Sequence, residues 1–379
     1  MSKNVKDMHI CIAGSGMGGL ACALSLAPPN MARILDRLNV WKPIQAEAVD
    51  LKDTSIRQGS SDAELANVQL QYVRETYGYP HMVGHRSNLA GEMYNGCKDE
   101  SANITFHFSH SVQKVHSWSP GVRFEVKPRD GEAFDVECDV LLAADGVKSN
   151  IRDQMLALLN IDAKVVDSGQ AAYRIIATRW IGERRHIIAY PVSNNTIYNL
   201  STAQPDTNFA AAPSATYTTK GSKKEMLETY ADFCPKVQKM LNMVPEGEVC
   251  EWKLRVHAPL PTWVHGSMAL VGDACHPTLP HLAQGAAQAI EDGAVLGVVL
   301  SKVPDTSAES INKALKVYQE LRKTAKEARD AAFKAIREGR EGAKVPDRWA
   351  DADVQKMIYG HDCWKDAEEQ FETLFAAAA

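Results

Sequence analysis

Three glycine- and aspartate-bearing segments carry the chemistry that can be read directly from this chain: Gly14-Ser15-Gly16-Met17-Gly18-Gly19, Asp145-Gly146 and Gly272-Asp273. Each follows a short apolar run of strand character, His9 to Ala13, Val140 to Ala144 and Met268 to Val271, and each precedes a helical pattern. Three strand ends therefore present backbone N–H groups or a carboxylate to one ligand. Glycines let the backbone turn tightly against a pyrophosphate, and the helix beginning at Leu20 points its positive end at the same place. The ligand this implies is a dinucleotide.

A glycine turn of this kind opens a unit whose second strand ends in Asp or Glu about 20 residues on, where the carboxylate accepts the ribose hydroxyls. Asp36 stands at roughly that spacing. The apolar residues around it are Met31, Ile34, Leu35 and Leu38, a helical pattern that puts Asp36 on an exposed polar face. Only Pro28 and Pro29 separate Ala27 from Asn30, where that helix begins. The chain has lost the second strand or uses a substitute for it.

With these residues in view, the sequence resembles the class A flavoprotein aromatic hydroxylases, single-component FAD monooxygenases that include salicylate and 6-hydroxynicotinate hydroxylases. The resemblance runs from about Met8 to Val303. It is carried most specifically by Leu270-Val271-Gly272-Asp273-Ala274-Cys275-His276-Pro277, continuing through Pro280 to Gly285 and Ala289 to Asp292. The implied architecture is α/β: a discontinuous, GR2-type Rossmann-like FAD-binding domain, a β-sheet substrate domain and C-terminal helices.

The resemblance also implies roles for particular residues. Gly14, Gly16, Gly18 and Gly19 form the phosphate turn, and Arg86 reaches the FAD phosphates with the paired donors of its guanidinium. Asp145 and Gly146 match a fingerprint associated with FAD and nicotinamide binding, and Asp273 after Gly272 binds the ribityl chain. Pro280 lies near the flavin face, and the amides of Gln284, Gly285 and Ala286 near its carbonyl edge, where a helix N-terminus stabilises the anionic reduced ring.

The implied reaction uses NADH or NADPH to reduce FAD. Oxygen then adds at the flavin C4a position, and the hydroperoxide hydroxylates a small phenolic or N-heteroaromatic acid in a site that excludes water. Catalytic candidates are His281, Tyr198 and Pro280, and further substrate-facing candidates are Tyr190, Arg174 and Leu282. Each also has a plain structural reading: a tyrosine on a strand fills core, and His281 makes a structural hydrogen bond. Arg179, Arg184, Arg185 and His186 attract an anion or form a solvated hairpin. Glu291 and Asp292 read as supporting or surface acids rather than catalysts.

Composition excludes other classes. A net charge of -5, from 42 basic and 47 acidic residues, gives no reason to expect nucleic-acid binding. No apolar run has the length of a membrane span, so no membrane partner is expected and the chain reads as cytoplasmic. The eight cysteines include no CxxC pair, and the spacing of Cys275, His276 and His281 fits no usual zinc motif, so no metal is expected. There is no G-x-S-x-G elbow to support a serine hydrolase. Association into a homodimer is left open.

At 379 residues the chain is long enough for about two domains. Residues 1–167 plus 257–303 make the expected FAD-binding domain, with an insertion near 54–79. Residues 168–256 make the substrate domain, in which strand-like runs such as His186 to Tyr190 and Thr196 to Leu200 roof the flavin and a helix over Lys224 to Leu241 packs behind. Residues 304–379 form a C-terminal helical segment, where mixed charges such as Arg322-Lys323-Thr324-Ala325-Lys326-Glu327 read as a solvated face or an interface. The stretch Ala177 to Trp180 and the region after Leu321 look shortened against the family. Three readings follow: an aromatic hydroxylase, an FAD oxidoreductase or epoxidase of secondary metabolism, and a degenerate FAD-binding protein that lacks the ribose acid.

Overall fold

The computed structural model of the chain describes residues 8–25, 31–98, 103–163, 165–172, 178–192, 196–205, 219–251, 253–278, 284–342, 356 and 359–378. The three apolar runs form strands Ile10–Ala13, Val140–Ala143 and Met268–Leu270, parallel to one another with Val140–Ala143 in the centre. Ile10 pairs with Val140 and Leu141 with Met268, so all three strands run out at one level. The central strand is covered on both faces, which is why Val140-Leu141-Leu142-Ala143 has no polar alternation. Val264–His265 closes one side of the sheet in the antiparallel sense.

The other side is open. Among the described residues no strand pairs with the outer edge of Ile10–Ala13, and its four residues are only half-buried. The helix Met31–Arg37 follows instead of a second strand, as the spacing of Met31, Ile34 and Leu35 predicts. Asp36 is not the exposed acid expected there: it is half-buried and accepts a hydrogen bond of 2.7 Å from the Tyr79 hydroxyl. The helical wheel showed which side Asp36 took but not what packed there.

Behind the sheet the helices Met17–Ser25 and Gly285–Ser301 cross closely. A Cβ at Gly293 would lie 2.7 Å from the backbone carbonyl carbon of Ala21, so only glycine lets the two backbones approach this far. Every residue from Gln288 to Leu300 is buried.

A second, seven-stranded sheet runs in the order Lys253–His257, Val165–Ala172, Ile197–Pro205, Arg185–Val192, Thr178–Gly182, Asp53–Gln58, Glu64–Gln69. The last two strands fall mostly within the stretch near 54–79 that the sequence marks as an insertion apart from the cofactor domain, and they belong to the substrate sheet. Asp53–Gln58 pairs in parallel with Thr178–Gly182, Ser55 opposite Thr178, so the substrate sheet is itself assembled from two stretches of chain. Alternation along a strand shows which face is buried but not its distant partner.

The helix expected over Lys224 to Leu241 is two, Lys223–Thr229 and Pro235–Asn242. Pro235 lacks an N–H and sits in the first turn of the second helix, where none is needed. The apolar residues Met226, Tyr230, Phe233, Val237 and Leu241 still pack on Trp180, Ile187 and Ala189. The C-terminal helices Ala308–Gly342 and Cys363–Ala377 pack against Gly285–Ser301. Among the described residues no helix is long and apolar enough to cross a membrane.

Candidate functional site

The ends of the three parallel strands open into one cavity of about 1250 Å3. Gly14, Gly16, Gly18, Arg86, Asp145, Gly146, Gly272, Asp273, Gln284, Gly285 and Ala286 all line it, although they come from five separate stretches of sequence. Gly19 does not; it lies beneath the turn, where a Cβ would overlap the carbonyl oxygen of Gly14. Gly14 has φ +109° and is packed on the Ala144 carbonyl, whereas Gly16 faces open space. The turn is thus tight on its protein side and bare on its cavity side, the form that lets a phosphate approach the backbone.

Asp145 lines the cavity with one carboxylate oxygen, Oδ1, buried and without a hydrogen-bond partner. The other, Oδ2, accepts a long bond of 3.5 Å from the N–H of Ile151. Burial holds the Asp145 carboxyl above the usual carboxylate range, with the Ser149 hydroxyl as the chief opposing influence. An orphaned buried acceptor beside a cavity is suited to a ligand hydroxyl or N–H.

Two buried arginines hold these turns in place, and neither role was legible in the sequence. Arg152 is fully buried and donates to the Val147 carbonyl at 2.9 Å and the Ala274 carbonyl at 3.4 Å. It thereby ties the turn after Asp145 to the turn after Gly272. Its other nitrogens donate to Asp153. Arg322, in a segment expected to be a solvated face or an interface, is buried within the chain, and its Nε donates 2.7 Å to Asp292 Oδ1 and its Nη1 2.7 Å to Glu291.

Of the two readings for Glu291 and Asp292, supporting or surface acids, their burial and contacts favour the supporting one. Asp292 is fully buried, and its Oδ2 accepts the Gly272 N–H at 2.8 Å and lies 2.6 Å from His276 Nε2. Cys275, His276 and Asp292 cluster closely enough to suggest a metal. The donors argue against one, since both oxygens of Asp292 are already engaged and a guanidinium lies against it. Despite desolvation, His276 and Arg322 hold the Asp292 carboxyl well below the usual range.

The far wall is the seven-stranded sheet. His186, Ile188 and Tyr190 face the cavity from one strand, and the residues directly opposite, Ala203, Ser201 and Asn199, face it from the next. Alternate residues share a face, which brings these three pairs together. The Ser201 Oγ is buried without a partner. Tyr198, the candidate from this strand, is 55% exposed and does not line the cavity; its correction follows from the same alternation. Tyr190, on the neighbouring strand, does line it. Arg185 points elsewhere, pairing with Asp232 at 2.9 Å, and only His186 of the basic cluster reaches the cavity wall. Pro280, His281, Leu282 and Arg174 lie outside the described residues.

The bare glycine turn, the orphaned Asp145 oxygen and a cavity running from that turn to the second sheet fit FAD, and together they define a flavin-binding α/β protein. The comparisons agree: the family model for the FAD binding domain matches residues 28–331, and the chain belongs to that family and is an FAD-dependent monooxygenase. It is similar to the FAD-dependent monooxygenase ntnJ of Nectria sp, 34% identical over 92% of this chain and 89% of that protein. It is also similar to the 3-hydroxybenzoate 6-hydroxylase of Polaromonas naphthalenivorans, 27% identical over 85% of each chain. The fold matches a salicylate hydroxylase substrate complex with a TM-score of 0.75 and 20% identity, over 95% of this chain and 97% of that one.

Proposed function

We propose that the chain hydroxylates a small aromatic ring, a phenolic or N-heteroaromatic acid, with NADH or NADPH as reductant and O2 as co-substrate. The observation that carries this reading is the continuity of the cavity: one space joins the glycine turn to the wall of His186, Ile188, Tyr190, Asn199, Ser201 and Ala203. Relatives named for 3-hydroxybenzoate and 6-hydroxynicotinate support the substrate class.

FAD, when bound, supplies the electron transfer and oxygen activation that no side chain can. The chain's own residues bind and orient. Backbone amides of Gly14 to Gly18 and the Arg86 guanidinium take the pyrophosphate, and Asp145 and Asp273 accept hydroxyl or amide protons from the sugar and ring portions. The amides at Gln284 to Ala286, at the start of a helix, would hold the ring portion and favour negative charge on it. Ile188 and Ala203 give the aromatic ring an apolar seat, while Ser201, Asn199 and Tyr190 offer donors to its polar substituents. Tyr198 has no part in this.

The test is a reconstitution with FAD followed by NADH and NADPH oxidation with and without 3-hydroxybenzoate, 6-hydroxynicotinate or salicylate, with product identification. Oxidation stimulated by an aromatic acid and yielding a hydroxylated ring is the expected result. A flavin spectrum without stimulation by any of the three would move the substrate to another class, including that of a secondary-metabolism oxidoreductase or epoxidase. Protein that stays colourless with excess FAD would identify a degenerate site.

A further inference from the structure

The buried charges beside the cavity do not balance without the C-terminal helix. Glu291 lines the cavity, and Asp292 next to it is fully buried and anchors the Gly272 N–H at 2.8 Å. Two carboxylates thus sit against a site whose ligand, a dinucleotide, carries a pyrophosphate dianion. Arg322 reaches them from the helix Ala308–Gly342, with one 2.7 Å bond to each and a third, at 3.2 Å, to the Gln288 carbonyl. His276 Nε2 lies 2.6 Å from Asp292, and Cys275 and Tyr318 complete the buried surroundings. Whatever charge His276 carries, removing the guanidinium makes this pocket wall one unit more negative.

We propose that Arg322 is a positioning residue for the cofactor: by offsetting Glu291 and Asp292 it sets the affinity for FAD and the ease of its reduction, and it couples the C-terminal helix to the Gly272-Asp273 turn. The inference rests on FAD binding and not on the identity of the aromatic substrate. A surplus buried charge at cavity distances is screened weakly, because the local dielectric is far below that of water. The guanidinium is also forked, so it serves both carboxylates at once, which the single ammonium of a lysine does less well.

FAD titration by flavin fluorescence, and the reduction potential of the bound flavin, would be measured on the full chain. Arg322→Met is expected to weaken FAD binding by on the order of tenfold or more and to lower the potential, because an electron added beside two uncompensated carboxylates is disfavoured. Arg322→Lys falls between. Adding Glu291→Gln to Arg322→Met recovers most of both losses, even if the thermal midpoint of the apoprotein stays low. An Arg322→Met affinity indistinguishable from wild type overturns the proposal, as does a loss that Glu291→Gln fails to recover.

Should Arg322→Met not fold, Glu291→Gln alone decides. With the guanidinium facing one carboxylate fewer, FAD binding tightens and the potential rises; unchanged or weaker binding refutes the idea. Wild-type protein that binds FAD but hydroxylates none of the aromatic acids would remove the hydroxylase reading and leave this one standing.

Discussion

Gly14 and Asp145 show how single residues trade stability for a binding surface. Gly14 holds φ +109° against the Ala144 carbonyl, so Gly14→Ala adds both backbone strain and overlap. The expected cost is about 1–3 kcal/mol in chemical unfolding of the apoprotein, with FAD affinity reduced further because the turn must shift. Asp145 pays differently. Its folded carboxyl binds a proton more tightly than the unfolded one, because burial disfavours the charge. Its contribution to stability is therefore fully present below the ordinary carboxylate pKa and is lost as pH rises through the raised folded value. Asp145→Asn should make the apoprotein more stable than wild type at neutral pH, with the gap closing as pH falls through the raised folded value and gone by about pH 4, the ordinary carboxylate range. Thermal midpoints at a series of pH values check this; a gap that widens in acid would contradict the assignment. The same variant should bind FAD less tightly.

At the scale of elements, the crossing of Met17–Ser25 with Gly285–Ser301 decides whether the glycine turn and the Gly272-Asp273 turn face one ligand. Gly18 meets Ala289 at this crossing and Gly293 meets the backbone of Ala21 and Cys22. Gly293→Leu forces the helices apart where neither backbone can yield, and is expected to cost roughly 3 kcal/mol or more, the upper end for overpacked cores. Urea unfolding would measure the loss, and a variant as stable as wild type would show that the crossing has slack. These helices and their strands were legible because local rules fix them: apolar runs of four, glycine at each exit, helical spacing beyond. Arg322 was not, since a mixed-charge helix reads as solvated until its buried partners on another helix are known. The hairpin Asp53–Gln69 and the wall position of Tyr190 over Tyr198 also depended on pairing between distant strands, which no local pattern records. The break at Pro235 was written in the sequence, and the surrounding apolar periodicity masked it.

Across the whole molecule the cofactor cavity is a junction rather than a pocket within one unit. Among the described residues the parallel sheet ends at Ile10–Ala13 with an unpaired edge, and no acidic second strand lies beside it. The residues that line the cavity include some from near positions 14, 41, 86, 145, 186, 200, 272 and 285, and Arg152 and Arg322 tie the turns at 145 and 272 in place. A ligand touching every one of these stretches binds the folded chain and not the unfolded one, so it stabilises the whole. At FAD about 100-fold above its Kd the gain is roughly 2.7 kcal/mol. For a chain of this length that corresponds to a rise of roughly 3 °C in the thermal midpoint, given the usual unfolding entropy per residue. The rise should appear in a single cooperative transition followed by circular dichroism and by tryptophan fluorescence, because Trp180 packs behind the substrate sheet and Trp263 in the core of the parallel sheet. If FAD moved only the signal from one sheet, the two layers would be independent units and the cavity between them a weaker site than its lining suggests. AMP offers the control: it reaches the glycine turn but not the sheet wall, and at the same multiple of its own Kd it should raise the midpoint of a single cooperative transition by the same amount, so a rise confined to the Trp263 signal would show that the two sheets unfold separately.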